Sequence, residues 1–133
     1  MIDVKNVITI RLPFPDIDSG LALKSHMYIC VDKDEDGYVF AKSQTDTPSA
    51  RNSMKDYIEE EADIERNPFH HSSLIDCDKF FRVSNCNISD KLITQRRPDV
   101  SDELFETIIS KYPDITIEEI NTDELKQLNS QIT

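Results

Sequence analysis

Two short corners of the chain, Lys24-Ser25-His26 and Ser43-Gln44-Thr45, carry side chains that could act on a phosphodiester. His26 can take or give a proton near neutrality, where the ordinary imidazole pKa lies. Lys24 can steady an anion as a point charge. It stands two residues before His26, on the same side of an extended chain. Ser43 or Thr45 can donate a hydrogen bond to a phosphoryl oxygen. These are the parts that metal-independent cleavage by an internal 2′-hydroxyl needs: a base, an acid, and a cation or donor for the phosphorane charge. The same residues also fit plainer roles. His26 could bond a loop carbonyl at a strand start, Lys24 could be a solvated loop charge, and Ser43 and Thr45 could end a strand through local hydrogen bonds.

The elements that must position these corners are short strands. Val7–Leu12 is a β-branched run ended by Pro13 and Pro15. Residues 13–25 form a loop of a length that is often functional. His26–Val31 and Tyr38–Ala41 read as the arms of a hairpin, with Asp36-Gly37 as the turn signal. With Gly37 near the turn centre, Ser43 falls roughly opposite residue 30, some distance from His26. Met54–Ala62 has helical spacing of Met54, Tyr57, Ile58 and Ala62. Residues 73–83 read as a strand, and 90–95 as one more. Acids at Asp102 and Glu103 open a helix that Pro113 stops. Thr116-Ile117-Glu118-Glu119 has the form of a capping box, predicting a second, acidic helix over 117–129.

Composition narrows the function classes. The 133 residues fit one domain. The net charge of −11 argues against an indiscriminate nucleic-acid binder. The excess is uneven: residues 1–97 hold 13 basic and 17 acidic side chains, residues 98–133 only 2 and 9. A local basic groove built from Arg11, Lys24, Lys42, Arg51 or Arg82 is compatible with that distribution. Cys30 and Cys77 sit in apolar strands as small buried hydrophobes, and Cys86 lies in a polar segment. Their spacing, with that of His26, His70 and His71, matches no zinc signature, so no metal and no cofactor is expected. Asp32–Gly37 imitates the start of a calcium loop, but Ser43 stands where a bidentate Glu is required. His70-His71-Ser72-Ser73 lacks the geometry of a Ser/His nucleophilic pair, since neighbours on an extended chain point apart. No apolar run approaches the ~20 residues of a membrane span, and no basic-then-apolar leader opens the chain. Cytoplasmic residence without membrane association is the expectation.

The order strand, loop, strand, hairpin, strand, insertion, strand, strand, helix over about residues 4–112 resembles the PemK/MazF family of toxin endoribonucleases. Ser73-Leu74-Ile75-Asp76-Cys77-Asp78 matches that family's Ser-apolar-x-Cys-Asp segment, and Ser43-Gln44-Thr45 occupies its Thr/Ser site. Lys24-Ser25-His26 stands where the family has Lys-x-Arg-Pro, so the family's Arg has no direct match. The resemblance implies a mainly β fold, an SH3-like small β-barrel with one or two short helices including a C-terminal one. It implies a domain over 1–112, followed by an acidic segment over 113–133, helical or partly disordered. The function it implies is metal-independent cleavage of single-stranded RNA by Lys24, His26, Ser43 and Thr45, with Arg11, Lys42 and Arg51 binding RNA. A homodimer and an acidic antitoxin partner come with it. The alternative is a non-catalytic binding module on the same barrel, its groove covered by the acidic tail.

Overall fold

A computed structural model describes residues 1–13 and 24–133. Most of the loop expected over 13–25 therefore lies outside the described residues. The described chain is mainly β. Its strands are β1 (Val7–Ile10), β2 (His26–Lys33), β3 (Gly37–Thr45), β4 (Tyr57–Glu60), β5 (Ser73–Asp76), β6 (Lys79–Ser84) and β7 (Thr116–Glu119). The helices are α1 (Pro48–Ser53), α2 (Asp102–Ile109) and α3 (Thr122–Leu128).

The first three strands read as nearly unbroken apolar runs because the sheet is buried on both faces. Alternation sends Ile8, Ile10, Tyr28, Cys30 and Phe40 to one face, where Leu125 of α3 and Ile132 cover them. Val7, Ile29, Val31 and Ala41 go to the other, under Leu104 and Ile108 of α2. The order is β1-β2-β3-β5-β4, with β6 also on β3 and β7 parallel to β6. The expected barrel does not close. The outer strands β1 and β4 do not pair, and the free edge of β1 meets residues 93 and 99 only through isolated bridges.

Long-range pairing overrides three local patterns. The helical spacing over 54–62 gives way to β4, antiparallel to β5 through Ile58↔Ile75. The segment expected as a strand over 90–95 holds a single 3-10 turn, Asp90–Leu92, and one bridge, Ile8↔Ile93. The capping-box tetrad 116–119 is β7 itself, paired to β6. The helix beyond it starts later, where the Asn121 side chain accepts the Glu124 N–H. Residues 113–133 thus share the core: Ile120, Leu125 and Ile132 pack with Ile8 and Phe40.

The 73–83 strand is bent. Ser43↔Ile75 and Phe40↔Phe81 bracket three steps on β3 but six on its partner. The surplus bulges out at 76–79, where the Asp78 carboxylate accepts the N–H groups of Lys55 and Asp56. The Asp32–Gly37 segment is a hairpin turn, in which one Asp34 oxygen accepts the N–H groups of Asp36 and Gly37. Gly37 is required by a close approach: a Cβ there would lie 2.1 Å from the Val83 carbonyl oxygen.

Candidate polyanion groove

The hairpin register decides which residues meet. The turn centres one and a half residues before Gly37, between Glu35 and Asp36, as Lys33↔Tyr38 shows. A bulge between Cys30 and Asp32 adds another residue of shift. Ser43 therefore lies opposite Met27, not opposite residue 30. The 24–26 and 43–45 corners are brought together at the end of the sheet where β2 begins and β3 ends.

They do not share a face. Met27 and Ser43 are cross-strand partners, so alternation puts His26 on the opposite side. The Ser43 hydroxyl is buried, and it donates to the Met27 carbonyl at 3.0 Å. Ser43 is a structural tie of the hairpin and faces away from His26. On His26's own face stand Tyr28 and Lys42, which are partners across β2 and β3. Thr45 is exposed at the end of β3.

Burial depresses the His26 pKa, and the charges of Lys42 and then Lys24 depress it further. At neutral pH the ring is therefore uncharged and able to take a proton. Lys42 is only 6% exposed. Burial lowers its pKa and raises that of Asp76, so for both groups desolvation outweighs their mutual attraction. Below His26 on the same face, the fully buried Tyr28 hydroxyl has no hydrogen-bond partner among the described residues, and neither does His26 Nε2. Burial pushes the Tyr28 pKa upward.

Three depressions adjoin this end of the sheet and share walls. The first, of about 620 Å³, is bordered by Lys24, His26, Lys42 and the hydroxyl residues Thr45, Thr47 and Ser49. The second, of about 170 Å³, shares His26 and Thr45 with it and adds His70 and His71. The third, of about 600 Å³, shares Met27 and His70 with the second and adds Lys91 and Arg96. Among the described residues, no aspartate or glutamate borders any of the three. In a chain of net charge −11 this segregation makes one surface suited to a polyanion.

The other expected binding residues sit elsewhere. Arg51, on α1, is held by Asp46 through two hydrogen bonds and by Glu59 through a third. Arg82 is likewise engaged, by Asp34 and Glu119. Arg11 is exposed one residue past β1, its backbone N–H and C=O clamped by the Asn129 side chain. The acidic tail does not cover the groove, since no residue beyond Arg96 borders it. Burial pushes the Cys30 and Cys77 thiols up to about 12, making them unreactive packing groups. No group of three or more His, Cys, Asp or Glu among the described residues is placed to hold a metal ion. No helix there is long and apolar enough to cross a membrane.

His70 and His71 border the site although a local reading discards them. The pairing Thr45↔Ser73 and the Asp46 N–H to Ser72 carbonyl bond carry the 70–72 loop to the 43–45 corner. The Ser73 hydroxyl donates to the His71 carbonyl, so no Ser/His pair forms there. Arg96 Nη1 lies 3.3 Å from His70 Nδ1. A guanidinium can only donate, so Nδ1 is the acceptor and Nε2 carries the ring proton. Comparison of the chain with protein-family models, with curated proteins and with solved structures finds no match.

Proposed function

We propose that this chain is a metal-independent endoribonuclease of the PemK/MazF-like toxin type, acting on single-stranded RNA held in the groove beside His26. One observation carries the reading: an uncharged His26 flanked by Lys24 and Lys42, beside a depression that no aspartate or glutamate borders among the described residues. His26 takes the proton of a 2′-hydroxyl, whose oxygen attacks the adjacent phosphorus. Lys24 and Lys42 offset the phosphorane charge. His70 donates a hydrogen bond from its Nε2–H to the leaving 5′-oxygen, which takes its proton from water as the P–5′-O bond breaks and the 2′-O–P bond forms. Thr45 donates to a phosphoryl oxygen, while Ser43 holds the hairpin. The hairpin, the bent Ser73–Ser84 strand and the Ser73–Asp78 segment support an SH3-like, PemK/MazF-like scaffold opened at one side. Such a toxin works as a homodimer, and an acidic antitoxin segment would compete with RNA for the same surface.

A second reading, a binding module without catalysis, is favoured by the orientation of Ser43 away from His26 and by the family's missing Arg. Purified protein incubated with single-stranded RNA in EDTA separates the two. The nuclease reading expects cleavage that His26→Ala and His70→Ala each reduce by about 10²-fold or more. Binding without cleavage at any protein concentration would leave only the module.

A further inference from the structure

We infer that the 91–96 segment is a second phosphate-binding subsite, which engages the RNA backbone away from the reacting phosphate. The inference rests on the RNA-groove reading above and extends it to a surface that sequence motifs do not mark. The largest share of the third depression is formed by this segment, from Lys91 to Arg96, against Thr9 and Met27. It adjoins the histidine cavity, with which it shares Met27 and His70.

Among the described residues, neither Lys91 nor Arg96 has a carboxylate within ion-pair distance, and both are exposed. Their neighbour Arg97 shows the contrast: it is held by the Asp99 carboxylate and the Ile64 carbonyl. Arg96 is anchored at one nitrogen, Nη1, which reaches the Phe69 carbonyl and His70 Nδ1. Its Nε and Nη2 donate to nothing among the described residues. A guanidinium fixed at one corner and open at the other presents a fork of the kind that takes a phosphate.

The segment is also held in place. The Ser89 hydroxyl caps the 3-10 turn by accepting the Lys91 N–H. The Thr94 N–H donates to the Val7 carbonyl, and the Thr94 hydroxyl to the Arg97 carbonyl. Lys91 and Arg96 thus stand at fixed places along the edge of β1. A strand of RNA whose scissile phosphate lies between Lys24 and Lys42 would pass the histidine cavity and lay its flank on them. The ligand class is a single-stranded phosphodiester chain, and the contact is to backbone, so it carries no base preference.

The test is equilibrium binding of 2′-O-methyl oligonucleotides, which the enzyme cannot cut, measured against salt concentration. A single-strand phosphate contact contributes about 0.7 to the slope of log K on log salt. The double variant Lys91→Ala/Arg96→Ala is expected to lower that slope by about 1.4 on a strand of about twelve nucleotides. It is expected to leave the slope unchanged on a strand of about four, too short to span both subsites. Arg96→Lys should restore part of the slope, and unchanged circular dichroism keeps the comparison on folded protein. A twelve-nucleotide slope equal to wild type, with Lys24→Ala still weakening binding, would overturn this inference and leave the groove reading standing. No binding of either oligonucleotide by wild-type protein would overturn both. Binding of polyglutamate in place of RNA, lost in the double variant, would assign the subsite to an acidic protein and refute the RNA assignment.

Discussion

Replacing Tyr28 by Phe should make the protein more stable, although it removes a polar group from the middle of a strand. Tyr28 is fully buried in β2, packed edge-on against Phe81 with ring centroids 6.3 Å apart. Its hydroxyl has no hydrogen-bond partner among the described residues, and burial and then Asp76 disfavour its ionised form. Folding therefore strips the hydroxyl of water with no compensating bond from the described residues, a penalty of about 1–3 kcal/mol for such a group. Phenylalanine keeps the ring, the edge-on contact and the apolar burial. The expected gain is about 1–2 kcal/mol, at the lower end because the site keeps the space of one oxygen atom. An unfolding entropy of about 2.1 cal/mol/K per residue makes each kcal/mol worth about 3.6 °C in a chain of 133 residues. Differential scanning calorimetry should thus show Tm rising by roughly 3–7 °C. A fall in Tm would refute the reasoning, because it would mean that the hydroxyl has a partner that stabilises it.

Three further outcomes follow from the same geometry. Ser43→Ala removes the buried bond to the Met27 carbonyl and should cost about 1 kcal/mol in urea unfolding, while RNA cleavage stays within a few-fold of wild type. A loss of cleavage comparable to that of His26→Ala would make Ser43 catalytic. Gly37→Ala drives a Cβ into the Val83 carbonyl and should destabilise by about 3 kcal/mol or more, read by denaturant midpoint. The lowered pKa of His26 means that the unfolded chain binds the extra proton first. The stability of wild type relative to His26→Asn should therefore fall as pH drops from about 7.5 through the unfolded value near 6.5, and level off below the folded pKa. A difference that grows on acidification would reverse the sign of the argument.

What the sequence reveals here is the part governed by local chemistry. The hairpin is legible because Asp36-Gly37 stands between β-branched runs, and α2 is legible from the acids of its first turn and the spacing of Leu104 and Ile108. Its register is less so. An earlier turn centre and a bulge at Val31 together bring Ser43 opposite Met27 instead of residue 30. Those shifts bring the two corners together, and the period of two then sends His26 and Ser43 to opposite faces. Tyr57-Ile58 and Thr116-Ile117 read as helical because spacing and capping patterns are local signals. Their fate is set by partners 15 or more residues away, at Ile75 and Phe80. His70 and His71 reach the site for the same reason, through a pairing that no short pattern encodes. Arg51 shows the converse, a cation disqualified by Asp46 and Glu59, both close enough in sequence to be suspected.

The claim that an uncharged His26 works between two lysines on an RNA-binding surface can be put to a single titration. The His26 ring protons would be followed by NMR against pH, first in free protein and then with a single-stranded 2′-O-methyl oligonucleotide. The account predicts a free pKa below 6.5 that rises when the oligonucleotide binds, as phosphate offsets Lys24 and Lys42. A free value at or above 6.5 that the oligonucleotide does not move would contradict it.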